Sequence, residues 1–343
     1  MKLSNQKLPT LKDVARLAGT SISTVSCVLN NDSQKYVSDI LKEKVQDAAK
    51  TLNYRPNFIA RSMKGKKRHV LAIIVPQFEN VFYTKLINGA EKVSFDNGFM
   101  LLFCSTYDDR QREQYLVESL MDQQVDGFLI APTLHGWENT RFIRERNIPF
   151  VVVDRYMVDA DQPYDLVGFD NEIGSYQATK LFIELGHRQL AYFNWESLLP
   201  HILQRQKGFW RAIDESGIPR ENCCVVSSGA NQDCAYHQAQ SLFAQYNPTA
   251  ILTAHHYLAE GLVAFLRETG RRIPDDVSVI TYGQPSWVRV NVPNFSCIQQ
   301  PAQEIGELGA KMLLERMEKP DAAYKKLILK PNLIIRNSVK KIN

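Results

Sequence analysis

The chain has 343 residues, 44% of them apolar, so its length suits about two or three domains with sizeable cores. It contains no apolar stretch long enough to cross a membrane, and its first ten residues are too polar for a secretory signal. We therefore expect a soluble cytoplasmic protein with no membrane contact. The six cysteines are scattered without a Cys-x-x-Cys pair, which argues against a zinc site or a disulfide scaffold.

The formal net charge of +4 is unevenly distributed along the chain. Residues 1–70 hold 14 of the 41 Lys and Arg but only 5 of the 37 Asp and Glu, so the rest of the chain is net acidic. A basic N-terminal fifth followed by an acidic remainder favours a small N-terminal domain that binds a polyanion. A solvated basic arm would give the same charge distribution.

Residues 10–52 predict three short helices. Thr10, with an acidic residue three positions later, is typical of a capping box, and Gly19 breaks the first helix. Ser21 can cap a second helix and Ser38 a third. Two short helices joined by a tight Gly turn and crossed by a third predict a helix-turn-helix, although any small three-helix bundle could show this pattern.

The second predicted helix carries small polar side chains where a recognition helix needs them. Hydroxyls and amides at its N-terminus can meet phosphates, and its exposed side chains can reach base edges in the major groove. The predicted reading surface consists of Ser21, Ile22, Ser23, Thr24 and Ser26.

Several longer sequence motifs resemble the N-terminal signature and hinge of the LacI/GalR (lactose-repressor/galactose-repressor) family. These motifs are TLKDVARLAGTS at 10–21, STVS at 23–26, VLN at 28–30, LNYRPN at 52–57 and IARS at 59–62. The resemblance is dense over residues 10–64 and continues more loosely to the C-terminus. It implies a homodimeric repressor that binds a near-palindromic operator, and it adds Thr10 and Asn30 to the predicted DNA contacts.

One position in the second helix departs from the family. The family usually has Arg where this chain has Cys27, and that Arg commonly reads guanine. Arg bidentate to guanine contributes about 1–3 kcal/mol of discrimination, which a thiol cannot supply. We therefore expect an operator that differs from the family's usual one at the position facing Cys27.

The basic segment after the helices predicts a hinge. Asn57 can cap a short helix and Gly65 can end it, but a helix this short is marginal in water because nucleation is costly. The resemblance implies that it folds in the minor groove, with Met63 as the apolar wedge. A plain flexible basic linker is compatible with the same residues. The predicted hinge contacts are Asn57, Ile59, Arg61, Met63 and Lys64.

From residue 70 onward, apolar runs of strand length alternate with windows of helical periodicity. Repeated strand–helix–strand units predict parallel sheets with helices on both faces. The predicted strands are residues 70–75, 99–103, 127–131, 150–153, 167–169, 191–193, 225–227, 250–253 and 277–281. The predicted helices are residues 83–95, 112–123, 137–146, 171–185, 205–216, 234–245 and 258–269.

These elements form two series, which predict two lobes and a cleft where ligands bind outside the carboxyl ends of the strands. The resemblance implies the same core, like that of periplasmic sugar-binding proteins. The predicted fold is multidomain: an all-α helix-turn-helix domain with a hinge helix, then a two-lobe α/β core of doubly wound parallel sheets. The predicted boundaries are 1–56 for the DNA-binding domain, 57–68 for the hinge helix and linker, and 69–343 for the effector-binding and dimerisation domain (N-lobe about 69–168 plus 300–330; C-lobe about 169–297 plus 331–343).

The resemblance implies a candidate effector site in this cleft. Asp154 matches a family Asp that often binds a ligand hydroxyl, Arg205 matches a ligand-contacting Arg, and Gln300 matches a frequent polar contact. Phe82 and Tyr83 match positions that line the cleft.

Other cleft positions depart from the family. His255-His256 replaces the usual Asn-Asp, Gly283 stands at an Asp position, and Ala230 replaces an aromatic platform. Because vicinal hydroxyls of a sugar need charged, planar acceptors, we expect an effector other than an ordinary free sugar. The sharper hypothesis is an anionic or otherwise different ligand, read by Arg205 with His255. A lost effector site, or control by a regulatory partner protein, remains an open alternative.

The sequence predicts neither an enzyme nor a protein that needs a cofactor or metal. It has no dinucleotide fingerprint, no phosphate-binding loop and no Gly-x-Ser-x-Gly elbow. The pair His255-His256 has no evident third ligand, and adjacent residues point apart in a regular element, so we expect a histidine at the cleft edge rather than a metal site. A solute-binding protein, the remote alternative, would leave residues 1–66 unexplained.

Overall fold

A computed structural model describes residues 9–29, 36–54, 68–158, 160–229 and 231–342. The chain divides into two compact units, Met1–Arg68 and His69–Asn343. Several residues singled out in the sequence lie outside the described residues, so their roles stay predictions: Asn30, Asn57, Ile59, Arg61, Met63, Lys64 and Ala230.

The described part of the first unit is helical. Its helices are α1 (Leu11–Ala18), α2 (Ile22–Leu29) and α3 (Asp39–Thr51). Thr10 precedes α1, and its backbone N–H and hydroxyl donate to the Asp13 carboxylate at 3.0 and 2.6 Å. Gly19 ends α1 at φ +64°, a left-handed conformation that glycine adopts with little strain. The turn therefore follows directly from the local sequence.

A small apolar core holds these three helices together. One valine from each helix, Val14, Val25 and Val45, is fully buried, because helical spacing brings all three to the inner faces. Ala15 and Ala48 fill the gaps beside them, and their small size lets the helices approach closely.

The described part of the second unit contains two six-stranded sheets, with orders β11-β5-β4-β3-β1-β2 and β12-β10-β9-β8-β6-β7. Neighbouring strands are parallel except for the antiparallel pair β10 and β12. The strands are β1 (Val70–Val75), β2 (Met100–Ser105), β3 (Gly127–Ile130), β4 (Phe150–Val153), β5 (Leu166–Phe169), β6 (Leu190–Trp195), β7 (Cys223–Ser228), β8 (Ala250–Thr253), β9 (Ser278–Tyr282), β10 (Ser296–Gln299), β11 (Lys326–Leu329) and β12 (Asn332–Ile334).

Helices connect these strands and pack on both faces of each sheet. They are α4 (Val81–Asp96), α5 (Arg110–Asp122), α6 (Trp137–Glu145), α7 (Asn171–Glu184), α8 (Pro200–Glu215), α9 (Gln232–Gln245), α10 (His256–Glu268), α11 (Trp287–Val290) and α12 (Ala302–Glu318), with a 3-10 turn at Arg220–Asn222. Central strands such as β3, β4 and β8 are buried along their whole length, because both faces are covered. No helix in the described ranges is long and apolar enough to cross a membrane.

The predicted fold class is confirmed: a helical N-terminal unit is followed by a two-lobe α/β core of parallel sheets. We call the sheet that contains β1 the N-lobe and the sheet that contains β6 the C-lobe. α8 begins earlier than predicted, at Pro200, since the fixed φ of proline suits the first helical turn. No element was predicted after residue 281: the strands β10, β11 and β12 are each only three or four residues long, and the 17-residue helix α12 was missed as well.

The closest helix crossing in the N-lobe depends on two glycines. A Cβ at Gly306 of α12 would lie 1.9 Å from the carbonyl oxygen of Leu86 in α4, and one at Gly89 would lie 2.2 Å from that of Gln303. The two helices therefore pack backbone to backbone, which any side chain at these positions would prevent.

We expect Gly306→Ala to lower the free energy of unfolding by about 3 kcal/mol, because overpacking against backbone atoms cannot relax by a rotamer change. Urea denaturation measures the loss. Gly168→Ala is the matched control, since its Cβ would meet no atom closer than 3.5 Å. Equal stability of the two variants would show that the helices can move apart freely.

Candidate functional site

The N-terminal end of α2 presents a cluster of hydroxyls to solvent. Ser21 Oγ accepts from the backbone N–H of Thr24 at 3.1 Å and so caps the helix. The same oxygen lies 2.9 Å from Ser23 Oγ and 2.8 Å from Thr24 Oγ1. Because hydroxyls both donate and accept, this cluster can meet phosphates and base edges alike.

Other residues predicted to contact DNA lie on or near this surface. Ile22 is 48% exposed, so its side chain is available for contact at the start of α2. Thr10 is exposed at the N-terminal end of α1, and Ser26 is partly exposed on α2. Among the described residues, the hydroxyl cluster at the start of α2 is thus accessible to a nucleic acid.

Cys27 was predicted to contact DNA, but its side chain is buried. Its side chain is only 7% exposed and packs in the core that also holds Val25 and Val28. A small apolar thiol is well suited to such a site, whereas a long charged side chain would extend out of it. Cys27 therefore acts mainly in the packing of α2. Any effect on the choice of operator sequence comes from the absence of an Arg side chain at this position.

In the second unit, a buried carboxylate lies at the end of β4. Tyr83 donates its hydroxyl to Asp154 Oδ2 at 2.9 Å, while Asp154 Oδ1 is buried and has no hydrogen-bond partner among the described residues. Burial raises the pKa of Asp154, and the φ of +66° is uncommon for a residue other than glycine. A buried acceptor without a donor is costly, which points to a ligand that donates to it.

Two buried arginines act on this carboxylate. Arg155 is 2% exposed and donates to Asp108 and to the carbonyl oxygen of Pro132. Arg205 is 3% exposed; its Nε donates to Asn171 Oδ1 at 2.8 Å and its Nη1 to the carbonyl oxygen of Ala254 at 2.7 Å. The positive charges oppose the effect of burial on the pKa of Asp154.

A histidine pair occupies the opposite side of the cleft. His255 precedes α10 and its ring stacks on that of His256, with 4.3 Å between centroids. His255 Nε2 lies 3.2 Å from Nδ2 of Asn80, whose Oδ1 caps α4 by accepting from Phe82 N–H. His255 lies in the short loop before α10, as expected, and this contact joins the C-lobe to the N-lobe directly.

Both histidines are held neutral. Burial, followed by the nearby His256 and Arg205, lowers the pKa of His255 well below its usual range. Burial and Arg205 lower the pKa of His256 to about 4. Neither ring therefore adds positive charge to the cleft, and both ring nitrogens of His255 already have partners, the backbone N–H of Tyr257 at Nδ1 and Asn80 Nδ2 at Nε2.

Gly283 and Gln300 complete the cleft. A Cβ at Gly283 would lie 3.4 Å from His256 Nδ1 and 3.6 Å from Gln300 Oε1, and the φ of +87° favours glycine there. These three residues line a pocket together with Phe82 and Asn80. The pocket leaves a volume of only about 20 Å³, little more than a water needs. Asp154 and Arg205 do not line this pocket, but each is only 3% exposed, so the cleft is closed around them as well.

The structure thus brings together the predicted cleft residues of both lobes: Phe82, Tyr83, Asp154, Arg205, His255, Gly283 and Gln300. Sequence reasoning missed His201 and Asn194, whose Nδ1 and Oδ1 are buried without a partner among the described residues. Asn194 lies near the carboxyl end of β6, where ligands bind in such sheets, so strand-end position could have identified it. No group of three or more His, Cys, Asp or Glu within the described ranges is arranged to hold a metal ion.

The neutral state of His256 predicts a loss of stability in acid. Its pKa is about 4 when folded but near 6.5 when unfolded, so only the unfolded chain takes up a proton between these values. His256 alone therefore lowers the free energy of unfolding by about 1.4 kcal/mol per pH unit as pH drops from 6.5 towards 4, and His255, whose pKa is also lowered, acts in the same direction. Urea denaturation at pH 7.5 and 5.0 should show a smaller decrease for His256→Gln, whereas exposed His237→Gln should match the unchanged chain.

Two family descriptions match this chain. Residues 10–57 match "Bacterial regulatory proteins, lacI family", and residues 179–339 match "Periplasmic binding protein-like domain". The first match covers α1 to α3, and the second covers most of the C-lobe.

Named relatives span nearly the whole chain. The HTH-type transcriptional repressor PurR of Vibrio vulnificus is 31% identical over 342 residues, covering 98% of this chain and 100% of the relative. The ribose operon repressor of Escherichia coli K12 is 31% identical over 334 residues, covering 96% of this chain and 100% of the relative.

Solved structures share the fold. A LacI family transcriptional regulator from Enterococcus faecium with bound ribose is 26% identical with a TM-score of 0.73, covering 80% of this chain and all of that one. The lac repressor dimer bound to operator has a TM-score of 0.85, covers 97% of this chain and all of that one, and at 22% identity shows the fold alone. The prediction of a DNA-binding regulator rather than an enzyme is confirmed by these relatives, and the chain belongs to the LacI family of bacterial transcriptional repressors.

Proposed function

We propose that this repressor works in the cytoplasm as a homodimer whose affinity for operator DNA is set by a neutral, hydroxyl-bearing small molecule in the interlobe cleft. The observation that carries the ligand class is Asp154, a buried carboxylate with one oxygen already bound to Tyr83 and the other without a donor. A ligand hydroxyl supplies the missing donor, and a site built for such a bond discriminates strongly.

The cleft disfavours the anionic ligand of the sequence hypothesis. His255 is held neutral, and two of the donors of Arg205 are committed to Asn171 and Ala254. An anion would also face the carboxylate of Asp154. Similar structures support the neutral class, since one carries ribose and another, the regulator CelR, carries cellobiose.

Ligand entry must separate the lobes. Asp154 and Arg205 are almost fully buried in the closed cleft, and the contact between Asn80 and His255 spans it. A ligand that replaces this contact shifts the balance between closed and open forms, and operator binding shifts with it by typically 1–3 kcal/mol. By reciprocity, operator DNA changes the affinity for the ligand by the same factor.

The N-lobe offers a surface on which two copies can pair. β2 is an edge strand, and its Met100 and Phe103 are 58% and 59% exposed. Phe95 on α4 and Tyr115 on α5 are also exposed, at 73% and 68%. Apolar side chains of this size on an edge strand favour association, and two-fold pairing supplies the two reading surfaces that a palindrome needs.

On the DNA, we propose that Ser21, Ile22, Ser23 and Thr24 at the start of α2 read the major groove. The hinge contacts, with Met63 as the wedge, stay predictions. The burial of Asp154 and Arg205 in the closed cleft favours one second candidate: a repressor that needs no small molecule and is controlled by a regulatory protein.

Selection of bound sequences from random DNA with the purified full chain tests the proposal, together with thermal shift against D-ribose, cellobiose and other neutral polyols. We expect a near-palindrome and a stabilising polyol. A recovered palindrome with no stabilising polyol would favour the second candidate. Recovery of no motif would overturn operator reading by α2.

A further inference from the structure

A second cavity lies in the C-lobe, at the C-terminal end of α10. Its volume is about 310 Å³, within the range of small-molecule sites, and it shares no lining residue with the interlobe pocket. Val263 and Phe295 form a buried apolar floor, 6% and 1% exposed, and Ile273 and Pro293 extend its walls. The cavity can therefore bury the apolar body of a ligand.

Arginines stand at the rim of this cavity. Arg267 is exposed, and its Nη2 donates to Asn291 Oδ1 at 2.6 Å. The guanidinium of Arg271 lies 4.6 Å from the ring centroid of Phe243, which holds it in place. Neither forms an ion pair within the described ranges, whereas their neighbour Arg272 pairs with Asp275 and Asp276.

We propose that this cavity binds a small organic anion with an apolar body, whose charged group is held by Arg267 and Arg271. Both arginines line the cavity without an acid partner among the described residues, and the planar guanidinium matches the geometry of carboxylate and phosphate oxygens. The apolar floor selects against bare inorganic ions, because Val263 and Phe295 gain only from contact with a hydrocarbon group. This site is independent of the ligand proposed for the cleft.

Calorimetric titration of the full chain with phenyl phosphate tests the site. We expect saturable binding to one site per chain that is at least tenfold tighter than that of phenol or of inorganic phosphate, since each lacks one half of the recognition. Hydrogen exchange in the same complex should slow in residues 263–273 and not around Asp154. Equal affinity for the three probes, or protection at the cleft instead, would overturn the proposal.

Paired substitutions separate specific recognition from general charge. Arg267→Gln with Arg271→Gln should weaken phenyl phosphate binding at least tenfold. Arg141→Gln with Arg146→Gln removes the same charge from exposed positions on and after α6 and should leave the affinity unchanged. If both pairs of substitutions weaken phenyl phosphate binding equally, binding depends only on the net charge of the protein and the proposed site does not exist. Thermal melts of each variant identify any loss of folding.

Discussion

Ser23→Asp lowers the affinity for operator DNA by about 100-fold. Ser23 is exposed in the hydroxyl cluster at the start of α2, within 2.9 Å of Ser21 Oγ. A carboxylate there loses a hydroxyl that can donate to phosphates or bases, and it places a negative charge against the DNA backbone. The two effects together amount to about 3 kcal/mol. Fluorescence anisotropy with the selected operator, at fixed salt, measures the change.

Gln46→Glu is the matched control for this result. It makes the unit one charge more negative, on an exposed face of α3. We expect it to weaken binding less than fivefold, since a distant charge is screened by salt. If the two variants lose affinity equally, the start of α2 does not contact DNA and only the net charge of the unit matters.

Asp154→Asn lowers the affinity for the cleft ligand by about 100-fold and leaves the affinity for operator without ligand unchanged. The carboxylate offers two acceptors, one of which already serves Tyr83. An amide has one oxygen and one NH2 group, so when its oxygen accepts from Tyr83, a donor faces the ligand hydroxyl where the carboxylate offered an acceptor. A lost bond to a buried charged acceptor contributes about 1.5–3 kcal/mol. Calorimetry with the stabilising polyol measures the change.

Two further variants check the cause of this loss. Tyr83→Phe keeps both oxygens of Asp154 but removes the donor that orients them, so we expect a smaller loss of about fivefold. Asp161→Asn, in the loop between β4 and β5, removes a carboxylate far from the described contacts and should have no effect. An Asp154→Asn variant that binds the polyol normally would place the ligand elsewhere.

Periodicity and resemblance predicted much of this molecule for identifiable reasons. The helices of the first unit follow from apolar spacing and from caps such as Thr10 and Gly19, which act within a few residues. The alternation of strands and helices follows from buried apolar runs such as β1 and β4. The resemblance placed Asp154 and Tyr83 in one cleft, and the hydrogen bond between them agrees with that placement.

The remaining features depend on tertiary contacts that no local pattern records. Asn80 and His255 meet across 175 positions in sequence, and their contact depends on lobe closure. The neutral state of His255 arises from burial, which spacing along the chain does not reveal. Cys27 was assigned by its column in the family signature, whereas its burial depends on how α2 packs in this chain.

The central claim is that a ligand in the cleft and operator DNA act on each other through the lobes. The most direct test measures operator affinity of the full chain with and without a saturating concentration of the polyol identified by thermal shift, and then polyol affinity with and without operator. The account predicts that both affinities change by the same factor, about fivefold or more, and that Asp154→Asn abolishes the change at this concentration. Operator affinity that stays the same while the polyol occupies the cleft would contradict it.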